Sequence, residues 1–191
     1  KLRPILAEFM ALYPKIELEI DLSDKKVDVI AEGFDAVIRA SSSLEDSTLI
    51  SRKIISTHII TVASPMYLKT FGKPEHPKQL SEHKILNYKY TGSDVWHFES
   101  KQGDKVSVPI KNKVLTNSPE LELALCVGGQ GISRQPMFNF GDELETGSVV
   151  TLFDDFKPQP LNVYVLYPSR KHMSAKVRSF IDFVADKLET A

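Results

Sequence analysis

The stretch Ala31–Ile54, AEGFDAVIRASSSLEDSTLISRKI, decides the predicted fold class of this chain. Within it Gly33 ends a predicted helix, and the mostly apolar run Phe34–Ala40 that follows is typical of a buried strand. Arg39 and then Ser41 lie where this strand gives way to a polar loop. In α/β folds ligands bind at such positions, just beyond the carboxyl ends of the strands. We therefore expect an α/β protein with ligand-contacting residues at the end of this strand.

The composition is that of a soluble globular protein without a strong charge bias. The chain has 191 residues, of which 42% are hydrophobic and 26% are charged, and its net charge is −1. Tight, salt-sensitive binding to nucleic acid needs a broad basic surface, so we do not expect this chain to bind DNA by itself. The single cysteine, Cys126, excludes an internal disulfide and favours a reducing compartment. No apolar run reaches transmembrane length and no signal peptide opens the chain, so no membrane contact is expected.

Two patterns open the chain. Apolar residues at helical spacing predict a first helix that begins at Leu2 and is stopped by Pro14. From Lys15 to Ser23 apolar and polar residues alternate strictly, which predicts a strand with one wet face near a sheet edge or against a partner. Exposed strand edges and apolar helix faces are costly when left bare. We therefore expect these two elements to form the surface between copies of the chain.

Strands and helices alternate along the rest of the chain. Asp24 is expected to cap a second helix, which turns Val27, Ile30 and Ala31 inward and ends at Gly33. The other predicted helices are Met66–Phe71, one that starts at Ser118-Pro119-Glu120, Phe138–Leu144, and a last one capped by Ser174. The other predicted strands are Leu49–Ile55, Ile59–Ser64, Ile85–Tyr90, Val95–Glu99, Lys105–Ile110, Gly131–Arg134, Val149–Phe153 and Leu161–Tyr167.

This alternation indicates βαβ units and a mostly parallel sheet. The segment from about residue 58 to 160 is richer in short strands and turns than its flanks. We therefore predict two α/β lobes between which the chain crosses twice. Residues 1–57 and 161–191 form lobe I, and residues 58–160 form lobe II. In such folds the ligand lies in the cleft between the lobes.

A series of motifs recurs in the order of one protein family. In the opening stretch Glu32-Gly33-Phe34-Asp35 is followed by Ile-Arg, a small residue, Leu-x-Asp-Ser-x-Leu and a late Arg. The later motifs are Thr61–Leu68, Phe71–Pro74, Trp96-His97-Phe98, Gly128–Pro136, Gly147–Val150 and Lys176–Phe183. Taken together, they resemble the effector-binding domain of LysR-type transcriptional regulators.

The resemblance implies a two-lobed sensor domain with a periplasmic-binding-protein-like fold, which binds a small-molecule effector between its lobes. It also implies a cytoplasmic homodimer or homotetramer that contacts DNA through an upstream winged helix-turn-helix not contained in this chain. A two-lobed solute-binding protein for transport is the alternative. An enzyme on the same scaffold ranks below both, because no acid–base pair or nucleophile stands out.

Two features depart from the family pattern. The family's first strand, with the polar turn that supplies one wall of the effector pocket, would precede Lys1. After the Gly-Ile-Ser sequence that ends at Ser133, the family usually has apolar residues, whereas this chain has Arg134 and Gln135. The pair either forms a polar pocket rim that prefers an anion, such as a carboxylate, or points to solvent.

Six residues are candidates for contact with the effector: Ser23, Arg39, Ser41, Trp96, Asn117 and Ser133. The guanidinium of Arg39 can clamp a carboxylate through two hydrogen bonds, or it can pair with Asp35 or Asp46. The hydroxyl of Ser41 can contact a ligand without the cost of burying a charge, or it can bond its own backbone.

The other candidates have equally simple structural explanations. Ser23 matches positions that line the effector cleft in the family, or it shares helix capping with Asp24. Asn117 precedes a helix whose free N–H groups favour anions. Ser133 lies on a short strand and could face the cleft, whereas Trp96 could wall the pocket or belong to the core.

Motifs for other functions are missing from the sequence. The glycine-rich run Gly128–Gly131 follows a helix and precedes no Lys-Ser/Thr pair, so it is neither a phosphate loop nor a dinucleotide motif. The five histidines are scattered, and the sequence contains no HExxH, CxxC or G-x-S-x-G pattern. We therefore expect no metal, no cofactor and no catalytic activity.

Overall fold

The computed structural model describes residues 2–23, 25, 27–42, 48–91, 94–168 and 173–189. In chain order its main elements are α1 (Leu2–Leu12), β1 (Val37–Ser41), β2 (Leu49–Ala63), α2 (Pro65–Phe71), β3 (Ile85–Tyr88), β4 (Val95–Glu99), β5 (Lys105–Pro109), β6 (Asn112–Thr116), α3 (Pro119–Val127), β7 (Ile132–Pro136), β8 (Val150–Thr151), β9 (Gln159–Pro168) and α4 (Ala175–Glu189). Short 3-10 helices cover Pro77–Glu82, Lys89–Thr91 and Met137–Asn139. Within the described ranges, no helix is long and apolar enough to span a membrane.

The chain divides into two units. Unit 1 comprises Lys1–Thr57 and Pro160–Ala191, and unit 2 comprises His58–Gln159. The chain therefore passes between the units twice, once along β2 and once at the start of β9.

Unit 1 contains a small sheet and two helices, α1 and α4, that pack against each other. Strand β9 runs antiparallel to β1, with Val37 opposite Leu166 and Ser41 opposite Asn162. It also neighbours β2, from which Ser56 Oγ donates a hydrogen bond of 3.1 Å to Asn162 Oδ1.

Helix α1 packs against α4 through an aromatic cluster centred on Phe9. The Phe9 side chain is fully buried, and its ring centroid lies 4.7 Å from that of Tyr13. Its distances to the ring centroids of Phe180 and Phe183 in α4 are 5.2 and 5.4 Å. The apolar spacing predicted for the first helix therefore forms the contact between these two helices.

In unit 2 the strand order is β2, β7, β3, β6, with β8 beside β2. Strand β3 runs parallel to both β6 and β7, whereas β2 runs antiparallel to β7 and β8. Strands β4 and β5 form a separate antiparallel hairpin, in which Trp96 lies opposite Val108 and Phe98 opposite Val106.

The unit 2 sheet is covered on both faces. Consecutive residues of β3 show this, because side chains alternate between the faces of a sheet. Ile85 packs with Trp96 and Phe98 of the hairpin. Leu86 packs with Cys126 of α3 on the opposite side.

The predicted strand over Lys15–Ser23 is wrong. Residues 16–23 have no regular secondary structure, and Ile20 is 53% exposed. An alternating pattern becomes a strand only where a neighbouring strand offers hydrogen bonds. None of the described strands pairs with this segment, so its backbone has no neighbouring strand with which to form hydrogen bonds.

The predicted second helix is a single turn, and its expected cap, Asp24, lies outside the described residues. Asp28 Oδ1 accepts hydrogen bonds from the backbone N–H groups of Ile30 at 3.1 Å and Ala31 at 3.0 Å, so it caps the start of this turn. Gly33, at φ +78°, then ends the turn before a helix can propagate. Val29 is the buried residue, and Ile30 is 56% exposed. The prediction that Val27, Ile30 and Ala31 together face inward is therefore wrong.

The predicted helix over Phe138–Leu144 is also wrong. Only Met137–Asn139 forms a short 3-10 helix. The backbone N–H of Gly141 donates to Glu143 Oε2 at 2.6 Å. Glycine and aspartate at residues 141 and 142 are poor helix formers, so the turn does not extend.

The sheet is mixed and not mostly parallel. Parallel pairing joins β3 to β6 and to β7, and α3 connects β6 to β7. The strands predicted at Leu49–Ile55 and Ile59–Ser64 are one continuous strand, because the polar link between them contains no glycine or proline. Strand β6, which the sequence patterns did not predict, completes the sheet at its edge.

Replacing Phe9 by alanine should destabilise the protein by about 3–5 kcal/mol, because a buried ring is lost from an aromatic cluster. Urea unfolding followed by circular dichroism measures the change. The control Leu121→Ala alters a helix residue of unit 2 that is 50% exposed, and should change stability by at most about 0.5 kcal/mol. Equal stabilities of the two variants would contradict the packing of α1 on α4.

Candidate functional site

Arg134 is the charged side chain at the centre of a site in unit 2 where a pocket, a cation and aromatic rings coincide. Strand β7 directs it toward the β4–β5 hairpin. There its guanidinium carbon lies 4.7 Å from the ring centroid of Phe98 and 5.5 Å from that of Trp96. Nη2 donates to the carbonyl oxygen of His97 at 3.1 Å and to Oε1 of Gln159 at 2.9 Å.

The positive charge of Arg134 has no ionic partner in the described part of the chain. A guanidinium carries five N–H donors, and here the described residues supply acceptors for Nη2 only. Burial lowers the pKa of Arg134 to about 10, which leaves the group protonated at neutral pH. Arg134 is thus a permanent cation with N–H groups on Nε and Nη1 that a ligand can use.

A pocket of about 240 Å³ opens beside Arg134. Its lining includes Ile59, Phe98, Leu152, Phe156, Lys101 and Asp154, all of which belong to unit 2. Lys157 also lines the pocket, but its ammonium group pairs with Glu99 at 2.5 Å. The pocket therefore combines apolar walls with an excess of positive charge.

On the other face of the sheet, a buried polar network joins β7 to α3. Ser133 Oγ donates to Glu122 Oε1 at 2.5 Å, and Gln135 Nε2 donates to Ser133 Oγ at 3.1 Å. Asn139 Nδ2 then donates to Gln135 Oε1 at 2.7 Å. The network holds the end of β7 against the helix.

Glu122 is the one acidic member of this network. Its side chain is buried, and its Oε2 atom has no hydrogen-bond partner among the described residues. Burial raises the pKa of Glu122 to about 7, although the hydrogen bond from the Ser133 hydroxyl opposes the change. Near neutral pH the carboxyl is therefore partly protonated.

The nearby thiol is chemically quiet. Burial, reinforced by the charge of Glu122, raises the pKa of Cys126 to about 12, so little thiolate forms at neutral pH. In the residues that the structure describes, no group of three or more His, Cys, Asp and Glu side chains could hold a metal ion.

Three of the six sequence candidates belong to unit 1. Ser23 is exposed, and its Oγ accepts a hydrogen bond of 3.3 Å from the backbone N–H of Lys25. Arg39 and Ser41 are two residues apart on β1, so their side chains lie on the same face of the strand. The described residues provide no ion pair between Arg39 and Asp35, and residue 46 lies outside the described ranges.

The other three candidates belong to unit 2, where Trp96 and Ser133 lie on opposite faces of the sheet. Trp96 is buried in the core, where its Nε1 donates to Asn87 Oδ1 at 3.4 Å. Ser133 is buried on the α3 side of the sheet, opposite the face that Trp96 covers. Asn117 is exposed, while Ser118 caps α3 by accepting the backbone N–H of residue 121 at 3.2 Å.

The sequence interpretation left two alternatives for Arg134 and Gln135, and the structure separates the two residues. Arg134 lines a pocket, whereas Gln135 is buried in the network on the other face. Glu122 was not predicted as a site residue. Its spacing contained a clue, because it lies four residues before Cys126 and therefore on the same face of a helix.

Comparison with protein families gives one match over nearly the whole chain. The model described as "LysR substrate binding domain" matches residues 1–189. The chain belongs to the LysR substrate-binding domain family.

Similar proteins include an HTH-type transcriptional regulator of Haemophilus influenzae, which is 37% identical over 174 residues. That alignment covers 91% of this chain and 60% of the relative. The HTH-type transcriptional regulator DmlR of Escherichia coli is 31% identical over 95% of this chain and 59% of its own length. The chain thus spans about three fifths of the length of these relatives.

Solved structures of LysR-type regulators share the fold. Full-length AphB, a virulence activator of Vibrio cholerae, superposes with a TM-score of 0.84 at 31% identity, covering 97% of this chain and 62% of AphB. The regulatory domain of CrgA from Neisseria meningitidis also gives 0.84, at 28% identity over 98% of this chain and 91% of that domain. The fold is therefore the two-lobed, periplasmic-binding-protein-like fold of LysR regulatory domains, as the sequence predicted.

Stability should depend on pH through Glu122. The folded protein keeps the Glu122 proton up to about pH 7, whereas the unfolded chain loses it near its ordinary pKa of 4.5. The folded state binds more protons between these values, so this carboxyl lowers stability progressively as the pH rises from about 4.5 to 7. The full effect is on the order of 3 kcal/mol.

Glu122→Gln should therefore gain stability relative to the wild type between pH 5 and pH 8, by about 2–3 kcal/mol. Urea unfolding at the two pH values measures the difference. Glu75→Gln, which changes an exposed carboxyl group of the same unit, is the control and should show a much smaller change. If Glu122→Gln and the wild type responded identically to pH, the carboxyl would titrate alike in both states.

Proposed function

We propose that this chain is the effector-binding domain of a LysR-type transcriptional regulator. The observation that carries the proposal is the family match over residues 1–189, without which no single motif would suffice. On this proposal a small molecule binds the domain and alters transcription through a DNA-binding part that the chain does not contain. Units 1 and 2 then serve as its two regulatory lobes. The domain needs no metal, no cofactor and no catalytic activity for this role.

The switching energy comes from differential binding. A ligand shifts a conformational equilibrium only by the difference between its affinities for the two states. We propose that the two states are arrangements of a cytoplasmic homodimer or homotetramer, which present an upstream winged helix-turn-helix differently to DNA.

Four of the candidate residues suit direct contact with the effector. Ser23 and Asn117 have exposed side chains, and those of Arg39 and Ser41 are partly exposed. Arg39 can bind a carboxylate group of the effector through charge-assisted hydrogen bonds. The remaining two candidates, Trp96 and Ser133, are buried, so we propose that they support the site from within unit 2.

The coding DNA immediately upstream of the Lys1 codon tests the regulator proposal. A winged helix-turn-helix followed by a linker helix is the expected result. A signal peptide or a lipidated cysteine there would instead favour a transport receptor and overturn the proposal. Incubating the full-length product with metabolites and finding a new compound by mass spectrometry would overturn the non-enzymatic role.

The segment 16–23 and α1 remain our proposal for the surface between subunits. Large apolar side chains are exposed on both, namely Met10, Leu12, Ile20 and Leu22. Apolar side chains clustered on the surface of a soluble domain typically mark a protein contact. A second copy of this chain is the occupant that an oligomeric regulator requires.

Ile20→Lys should convert the oligomer to a monomer, because the change places a charge in an apolar contact. Light scattering measures the mass in solution. Leu115→Lys is the matched control, since Leu115 on β6 is 52% exposed, and it should leave the mass unchanged. An Ile20→Lys protein with the wild-type mass would remove this surface from the proposal.

A further inference from the structure

We propose that unit 2 contains a separate ligand site, centred on Arg134, that binds a small monocarboxylate with a short apolar body. None of the six residues proposed for effector contact lines this pocket. The inference therefore stands independently of the proposed function, and either one can fail without the other.

The Arg134 guanidinium has no ionic partner in the described part of the chain. Its only hydrogen-bond acceptors in the described chain are two neutral oxygens, of His97 and Gln159, and both bind Nη2. A partly buried cation without an ionic partner has lost hydration that no protein anion replaces. A carboxylate in the pocket can accept charge-assisted hydrogen bonds from Nη1 or Nε and supply the missing negative charge.

Aromatic rings and hydrogen bonds hold the Arg134 side chain in place. The ring of Phe98 lies 4.7 Å from the guanidinium carbon, and the ring of Trp96 lies 5.5 Å from it. Trp96 itself is fixed in the core by its contact with Asn87. Aromatic contacts and two hydrogen bonds thus orient the cation before any ligand arrives, which reduces the entropy lost on binding.

The walls of the pocket include several apolar side chains. Ile59, Leu152 and Phe156 provide apolar surface next to the cation. A volume of about 240 Å³ lies below the usual range for drug-sized ligands, so the apolar part of the ligand must be short. Inorganic anions would leave this apolar surface in contact with water.

The charged side chains that line the pocket leave it with a net positive charge. Lys101 is exposed, and no residue in the described ranges pairs with it. Asp154 is the acid in the lining, and its Oδ1 accepts a hydrogen bond of 3.1 Å from Thr151 Oγ1. With Lys157 neutralised by Glu99, the pocket keeps a positive excess that favours one carboxylate over a neutral ligand.

Titration of the 191-residue protein with hexanoate tests the site, with hexanamide as an uncharged probe of the same shape. Trp96 is the single tryptophan of the chain and lies beside Arg134, so its fluorescence reports on the pocket. We expect a saturable change with hexanoate and at least about tenfold weaker binding of hexanamide. Equal binding of the two probes, or no saturable response to hexanoate, would overturn the proposal.

Three variants locate the binding. Arg134→Gln should weaken hexanoate binding by about tenfold or more, and Lys101→Gln by about threefold. Arg178→Gln makes the same chemical change at an exposed position of α4 in unit 1 and should leave the affinity unchanged. A loss of binding in Arg178→Gln, with Arg134→Gln unaffected, would place the carboxylate elsewhere and overturn the site.

Arg134→Lys keeps the positive charge, so the site can still be tested if Arg134→Gln does not fold. Lysine cannot reproduce the planar guanidinium between the aromatic rings, so we expect intermediate, weakened binding. Wild-type affinity in both Arg134→Lys and Lys101→Gln would overturn the assignment even if Arg134→Gln could not be purified.

Discussion

Strand β7 carries polar side chains on both faces of a sheet that is covered on both sides. Because neighbouring side chains on a strand point in opposite directions, Arg134 faces the hairpin while Ser133 and Gln135 face α3. Each of these groups loses contact with water and must find hydrogen-bond partners inside unit 2. Asn139 and Gln159 supply such partners from segments beyond the strand. Much of the polar organisation of unit 2 follows from this one strand.

The two ionisable side chains nearest this strand, the buried Glu122 and the partly buried Arg134, lie on opposite faces of the sheet and do not pair. Glu122 gains stability by keeping its proton, because burial raises its pKa into the neutral range. Arg134 keeps its charge, because its pKa remains well above neutral even after burial lowers it. It is stabilised by aromatic faces and neutral oxygens instead. One face of the sheet thus carries a pH-dependent group, and the other a permanent cation beside a pocket.

Elements governed by local chemistry were predictable from the sequence. Ser118 caps α3 as its position before proline and glutamate indicates, and Gly33 ends its turn in the left-handed conformation. The failures share a different cause. The alternating segment Lys15–Ser23 has the pattern of a strand but no neighbouring strand among those described. The two strands predicted on either side of residue 57 are one strand, β2, which is hydrogen-bonded to β9, β7 and β8. Pairing depends on residues that are distant in the sequence, which local patterns do not specify.

By itself, the sequence determined the family and the α/β class, because ordered motifs record both the fold and its loops. It also singled out Arg134 and Gln135, the polar pair that follows Gly-Ile-Ser. Only the tertiary structure decided what the two residues do, since each one's environment depends on which face of the sheet it occupies. The contact between Glu122 and Ser133 and the pocket beside Arg134 arise where a helix, a hairpin and a returning loop meet the same strand. Burial and hydrogen bonding are set by that convergence of distant segments, and no local stretch of sequence encodes it.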